Sequence, residues 1–361
     1  MNTTQQLQNL GQSLWLDNIT RDLLTSGTLK RYIDELAITG LTSNPTIFDQ
    51  AIKGGAAYDG AIRNKVARGL AGEQLFFELA LEDITQAADL FRPTFERTCG
   101  VDGYVSLEVS PLLAHDAKTT LAAAIDLSRR AARPNVLIKI PGTVEGLWAI
   151  EESIFAGIPI NVTLLFSSEQ YLAAAEAYMR GIERRIEKGL RPDIASVASL
   201  FVSRWDVAVA DKVPAPLVNH LGIAVGMRAY KAYCDLLAST RCRRIMNAGG
   251  RPQRLLLAST GTKDPKASAT LYVEALAAPY TVDTMPEGTL KALAERGKIG
   301  APTPADGGDC ETVLASFTAA GINLGALAAK LQDEGAASFV KSWNNLLDVI
   351  ASKSAALGRT G

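Results

Sequence analysis

NVLIKIPG at 135–142 and IPINVTLLF at 158–166 are two short aliphatic, β-branched runs separated by a helical stretch. A strand, a helix and a strand in that order make a right-handed βαβ unit with its strands parallel. Working outward, the same alternation recurs along the chain. SLWLDN (13–18), ITGLTSN (38–44) and YVSLEVS (104–110) come before these two runs. IASVASLFVS (194–203), RLLLAST (254–260) and YTVDTMP (280–286) follow them. Amphipathic segments such as AKTTLAAAIDLSRRAA (117–132) and SEQYLAAAEAYMRGIERRIEKG (168–189) lie between them. Eight strand–helix units favour closure into a (β/α)8 barrel, the TIM barrel, over an open sheet. Neither a GxGxxG fingerprint nor a GxxxxGK[ST] loop is present, so a nucleotide-binding open sheet loses its main support.

Residues 45–103 hold more than one crossover helix requires. They include LAGEQLFFELALEDITQAADLF (70–91), and we expect one or two helices beyond the barrel minimum. After residue 300 a polar piece, APTPADGGDC, leads into a helical tail through 324–357. The expectation is one domain over 1–361, with a barrel core over about 13–300 and a C-terminal helical extension over about 301–361.

Composition narrows the function classes. Apolar residues make up 47% and charged residues 21%, and the net charge is −1, so nothing points to nucleic acid or an anionic membrane. The four cysteines are dispersed without a CxxC pair, which fits reduced thiols and poorly fits zinc or a disulfide framework. The opening MNTTQQLQNLGQSLW lacks a signal-peptide pattern, and no apolar run reaches the roughly 18 residues of a membrane span. A cytoplasmic location is the expectation, and monomer and homodimer both stay open. No metal or organic cofactor is implied.

In a parallel barrel the C-terminal ends of the strands carry the chemistry. Polar residues expected at that rim are Asp17, Ser43, Asn44, Glu108, Lys139, Asn161, Thr163, Ser199, Ser203, Arg204, Ser259, Thr260 and Lys263. Lys139 stands out, because a charge inside an apolar strand is disfavoured and a neutral lysine is nucleophilic toward ketones. The resulting Schiff base is an electron sink for carbon–carbon cleavage. The plainer reading is a lysine paired with a structural carboxylate. Asp17 and Glu108 invite the same plain reading singly. Together with Lys139 on neighbouring strands, they supply the proton transfers that aldol chemistry needs. Arg204, Ser259 and Lys263 suit a phosphate group.

TSNPTIF (42–48), VSLEVSP (105–111), LIKIPGT (137–143), INVTLLFS (160–167) and SLFVSR (199–204) resemble the transaldolases in order and spacing. The resemblance spans roughly residues 13–290 and looks like the longer bacterial form. It implies transfer of a dihydroxyacetone unit from sedoheptulose 7-phosphate or fructose 6-phosphate to glyceraldehyde 3-phosphate or erythrose 4-phosphate, in the non-oxidative pentose phosphate pathway. Lys139 would form the Schiff base, Asp17 would serve the C4 hydroxyl, and Glu108 with Thr163 would hold a catalytic water. Asn44 and Asn161 would bind substrate hydroxyls, with Ser43 beside them and Ser199 near the ketone end. Arg204 would bind phosphate, with Ser259 nearby. The family's second arginine, in A-S-F-R, is replaced here by ASTGTKDP, where Lys263 is the substitute. Glu108 and Phe201 favour transfer, since related direct aldolases carry glutamine and tyrosine at those places. A direct aldolase and a silent sugar-phosphate-binding barrel are the rival readings.

Overall fold

Eight strands close into a barrel in the computed structural model, which describes residues 2–358. They are β1 Ser13–Asp17, β2 Ile38–Thr42, β3 Val105–Glu108, β4 Val136–Pro141, β5 Ile160–Leu165, β6 Ser196–Phe201, β7 Arg254–Ala258 and β8 Val282–Met285. Each pairs in parallel with the next, and β8 returns to β1. Each strand falls within one of the eight runs read from the sequence. The strands are buried on both faces, one facing the axis and the other the helix layer, which is why they read as nearly continuous aliphatic runs.

Register places the inward-facing polar residues at one level. Glu108 pairs with Lys139 across β3 and β4, and Lys139 with Asn161 across β4 and β5. Asp17 pairs with Thr42 across β1 and β2. Thr42 and Thr284, on the strands flanking β1, touch through their hydroxyls at 2.7 Å. Below this level the barrel is filled by Trp15, and Gly40 makes room for it. A Cβ at Gly40 would fall 2.5 Å from the indole ring. The indole Nε1 donates to Asp102 at 2.9 Å, and Asp102 also accepts from Ser13 Oγ and from Gly103 N. These contacts tie the N-terminal end of the barrel together.

Three helices fill the interval between β2 and β3: Pro45–Lys53, Asp59–Ala67 and Gly72–Arg97. Two of them exceed the barrel minimum. The third runs past residue 91 with Pro93 inside it, its last turn held by an edge-on contact of Phe95 with Tyr104 at 5.4 Å. The tail forms the helices Cys310–Ala319 and Leu324–Gly358. The latter packs on Pro45–Lys53 and Asp59–Ala67, with Trp343 edge-on to Phe76 at 4.9 Å. Among the described residues no single helix is long and apolar enough to cross a membrane.

Among the buried acids outside the site, Asp283 on β8 is the least satisfied. It is fully buried; its Oδ1 accepts from Thr260 Oγ1 at 2.9 Å, and its Oδ2 has no partner among the described residues. Burial pushes its pKa up to about 7. The folded state therefore keeps a proton that the unfolded chain loses near pH 4. The contribution is fully present below pH 4 and falls away as pH rises through about 7, by about 1.4 kcal/mol per pH unit. Asp283→Asn should remove this slope, so that its stability advantage over the parent grows between pH 4 and 7. Parallel stability–pH curves from denaturant titration would contradict the assignment.

Candidate active site

A cavity of about 270 Å³ opens at the C-terminal ends of the strands. Asp17, Asn44, Lys139, Thr163, Ser199, Arg204, Ser259 and Lys263, all expected at the rim from the sequence, line it together with Phe201, which the resemblance singled out. Thr42, Thr284 and Phe339 join them. A larger cavity, about 620 Å³, lies at the opposite end of the barrel. It is lined by Arg97, Asp102, Arg251 and Arg254 but by no lysine, so it offers no amine for Schiff-base chemistry.

The centre of the upper cavity is an amine among oxygens. Lys139 Nζ donates to Glu108 Oε2 and to the carbonyl of Ser43, each at 3.2 Å, and both side chains of the ion pair are only 6% exposed. Burial raises the pKa of Glu108; the charge on Lys139 opposes this and the charge on Asp17 adds to it. The pKa of Asp17 is also raised by burial, against the pull of Lys139, a hydrogen bond from Thr42 at 2.8 Å and the field of Lys263. Two carboxyls raised by burial thus flank one amine. That arrangement can pass protons to and from a carbinolamine.

Thr163 is fully buried and its hydroxyl has no partner among the described residues. A buried hydroxyl beside a cavity without a hydrogen bond is a place for a water or a substrate atom. Asn161 is used differently. Its Nδ2 donates to Ser106 Oγ at 3.0 Å and its Oδ1 accepts from Ser199 Oγ at 2.7 Å, so it braces the wall below the cavity. Ser43 offers its backbone carbonyl to Lys139 while its hydroxyl donates to Ser106 O. Asn44 Oδ1 caps the helix Pro45–Lys53 through Ile47 N at 3.1 Å, which fixes its side chain at the cavity rim.

Anion chemistry sits at the far side. Arg204 is half-buried and makes no ion pair among the described residues. Its guanidinium lies 5.3 Å from the ring centre of Phe201, and burial lowers its pKa. Ser259, with φ +56°, shares a 2.9 Å hydrogen bond with Ser203. Lys263 is exposed at the rim. The field of Glu334 acts on Arg204 without a direct ion pair, and a half-buried guanidinium not paired directly favours an incoming anion. Among the described residues no cluster of three or more His, Cys, Asp or Glu is placed to hold a metal ion.

Reading the rim from the sequence missed four residues. Thr42, Ser106 and Thr284 were detectable, because each lies two positions from another inward residue or pairs with one across the barrel. Phe339 gave no signal: a phenylalanine on an amphipathic helix reads as core.

Comparison with known proteins agrees with this geometry. Residues 14–350 match the family described as Transaldolase/Fructose-6-phosphate aldolase. The chain is 44% identical to a transaldolase of Thermobifida fusca, with 98% of each chain covered. It is 43% identical to a transaldolase of Saccharopolyspora erythraea, covering 96% of each. It is 42% identical to one of Mycolicibacterium smegmatis, covering 95% of each. A barrel of this topology with likeness over almost its whole length is more than a shared scaffold: the chain belongs to the transaldolase/fructose-6-phosphate aldolase family.

Proposed function

We propose that this chain is a transaldolase that carries a dihydroxyacetone unit between sugar phosphates as an enamine on Lys139. One observation carries the reading. A single cavity holds a buried amine 3.2 Å from a carboxyl at one end and a guanidinium without an ion-pair partner at the other. A ketose phosphate needs both, one group for its carbonyl and one for its phosphate.

In the proposed reaction the ketone carbon of fructose 6-phosphate or sedoheptulose 7-phosphate takes the Lys139 amine. Glu108, with a water held at Thr163, moves the protons of carbinolamine dehydration. Asp17 takes the proton of the C4 hydroxyl and the bond between C3 and C4 breaks. The electron pair passes into the Schiff base, leaving an enamine, and an aldose phosphate departs. Glyceraldehyde 3-phosphate or erythrose 4-phosphate then accepts the unit in the reverse sequence. Asn44, supported by the Asn161–Ser199–Ser106 brace, suits the substrate hydroxyls, and Arg204, Ser259 and Lys263 suit the phosphate.

Borohydride added with fructose 6-phosphate should leave a reduced adduct on the peptide carrying Lys139, and Lys139→Ala should give neither adduct nor turnover. An unmodified peptide from folded protein would end this reading. Arg204→Gln should raise KM for phosphorylated ketoses by roughly 10- to 100-fold with a smaller effect on kcat, the scale of one charge-assisted contact; an unchanged KM would remove Arg204 from the phosphate site. Thr42→Val takes away a hydrogen bond that favours ionised Asp17, so the pKa of Asp17 rises. The acidic limb of the kcat/KM profile should move to higher pH, and a limb that stays in place would mean that Asp17 is not the base.

A further inference from the structure

The helix Leu324–Gly358 brings one side chain, Phe339, over the reactive amine. Its ring centre lies 5.6 Å from Lys139 Nζ and 6.0 Å from the guanidinium carbon of Arg204, and the residue is buried. The ring therefore spans the two ends that a ketose phosphate would occupy. Several contacts fix it there. Gln332 Nε2 donates to the carbonyls of Gly142 and Leu164, at 3.0 and 2.9 Å, where the chain leaves β4 and nears the end of β5. Gly335 lies so close that a Cβ there would stand 2.9 Å from Leu164 Cδ2 and 3.3 Å from Arg204 Nη1. On the far side, Thr46 donates to Ser342 at 2.8 Å and Trp343 packs against Phe76.

We propose that Phe339 sets how the enamine on Lys139 divides between transfer and hydrolytic release, by keeping water from its nucleophilic carbon. The inference rests on the proposed transaldolase reaction. In the enamine, C3 carries the nucleophilic electron pair. With an acceptor bound, that pair forms the new bond to the aldehyde carbon, and the aldehyde oxygen takes a proton. Water competes in two steps. It first delivers a proton to C3, giving an iminium, and then adds at C2, after which the Lys139 amine leaves and dihydroxyacetone is free. The first step needs a proton donor at C3, on the side the Phe339 ring covers; the second reverses carbinolamine dehydration and draws on the relay water, so the ring acts on the first. An apolar group over a reactive intermediate suppresses such side reactions without touching the proton relay. In the proposed reaction the relay water stands at Glu108 and the unpartnered Thr163 hydroxyl, where dehydration requires it. The site is thus wet on the relay side and dry beneath the helix.

The test is a ratio. Full-length protein is supplied with fructose 6-phosphate with and without erythrose 4-phosphate, and free dihydroxyacetone is measured against transferred product. Phe339→Ala should raise the ratio of release to transfer on the order of tenfold, and Phe339→Leu, which restores an apolar cover, should bring most of it back. Gly335→Ala, which crowds the Leu164 side chain and the Arg204 guanidinium beneath the helix, should raise the ratio as well, giving a second route should Phe339→Ala not fold. A purely structural role for Phe339 would lower transfer and release in parallel. A wild-type ratio in every folded variant would overturn the inference while leaving the transaldolase reading in place. Absence of a borohydride adduct on Lys139 in the parent protein would instead overturn that reading, and this inference with it.

Discussion

The upper barrel is arranged around one amine that is buried and hydrogen-bonded and that, in the proposed reaction, must still react. A lysine in the interior is tolerated only with a partner, because an unpaired buried charge costs several kcal/mol. Glu108 and the Ser43 carbonyl provide that partnership at 3.2 Å each. Neither contact is short, and only one is to a charged group. A bidentate, tightly held pair would stabilise the ammonium and hide the nucleophile. Here burial works against ionised Glu108, and Asp17 adds to the effect. The pair is held in place without being locked.

That constraint explains why polar residues extend so far into the barrel. Aliphatic layers usually fill such an interior; here Trp15, beside Gly40, fills the level beneath the amine. Above it, each buried polar group has to be satisfied by another. Ser106, Asn161 and Ser199 form one chain of hydrogen bonds, and Asp17, Thr42 and Thr284 form a second. The first chain braces the wall beside Lys139, and the second ends on a carboxyl whose pKa is raised by burial. Among the described residues the Thr163 hydroxyl is buried without a partner, and it lines the cavity that holds the amine.

The barrel was legible in the sequence because two independent signals agree: eight aliphatic runs, and the helical spacing between them. Lys139, Glu108 and Asp17 were legible because a charged residue in an apolar strand contradicts its surroundings. Threonine and serine in strands carry no such contradiction, so Thr42, Thr284 and Ser106 stayed silent although strand alternation points them inward. Phe339 lies beyond any local reading. It is separated by 200 residues from Lys139, and only the packing of the terminal helix across β4 and β5 brings the two together.

The same packing accounts for a strained position at the site. Leu164 has φ +60°, a region costly for a branched side chain, and the register of β5 against β6 shifts between Val162 and Leu165. Such a kink persists only where its surroundings over-determine it. Gln332 holds the Leu164 carbonyl from the terminal helix, and Gly335, where a Cβ would stand 2.9 Å from Leu164 Cδ2, leaves the Leu164 side chain its room. The kink follows Thr163 directly, so the hydroxyl and the helix are coupled through one peptide. The tail is therefore more than a cover added to a finished barrel. It holds the backbone beside Thr163 through Gln332, and the same helix carries Phe339 to within 5.6 Å of the amine, so one element touches both the relay residue and the lysine.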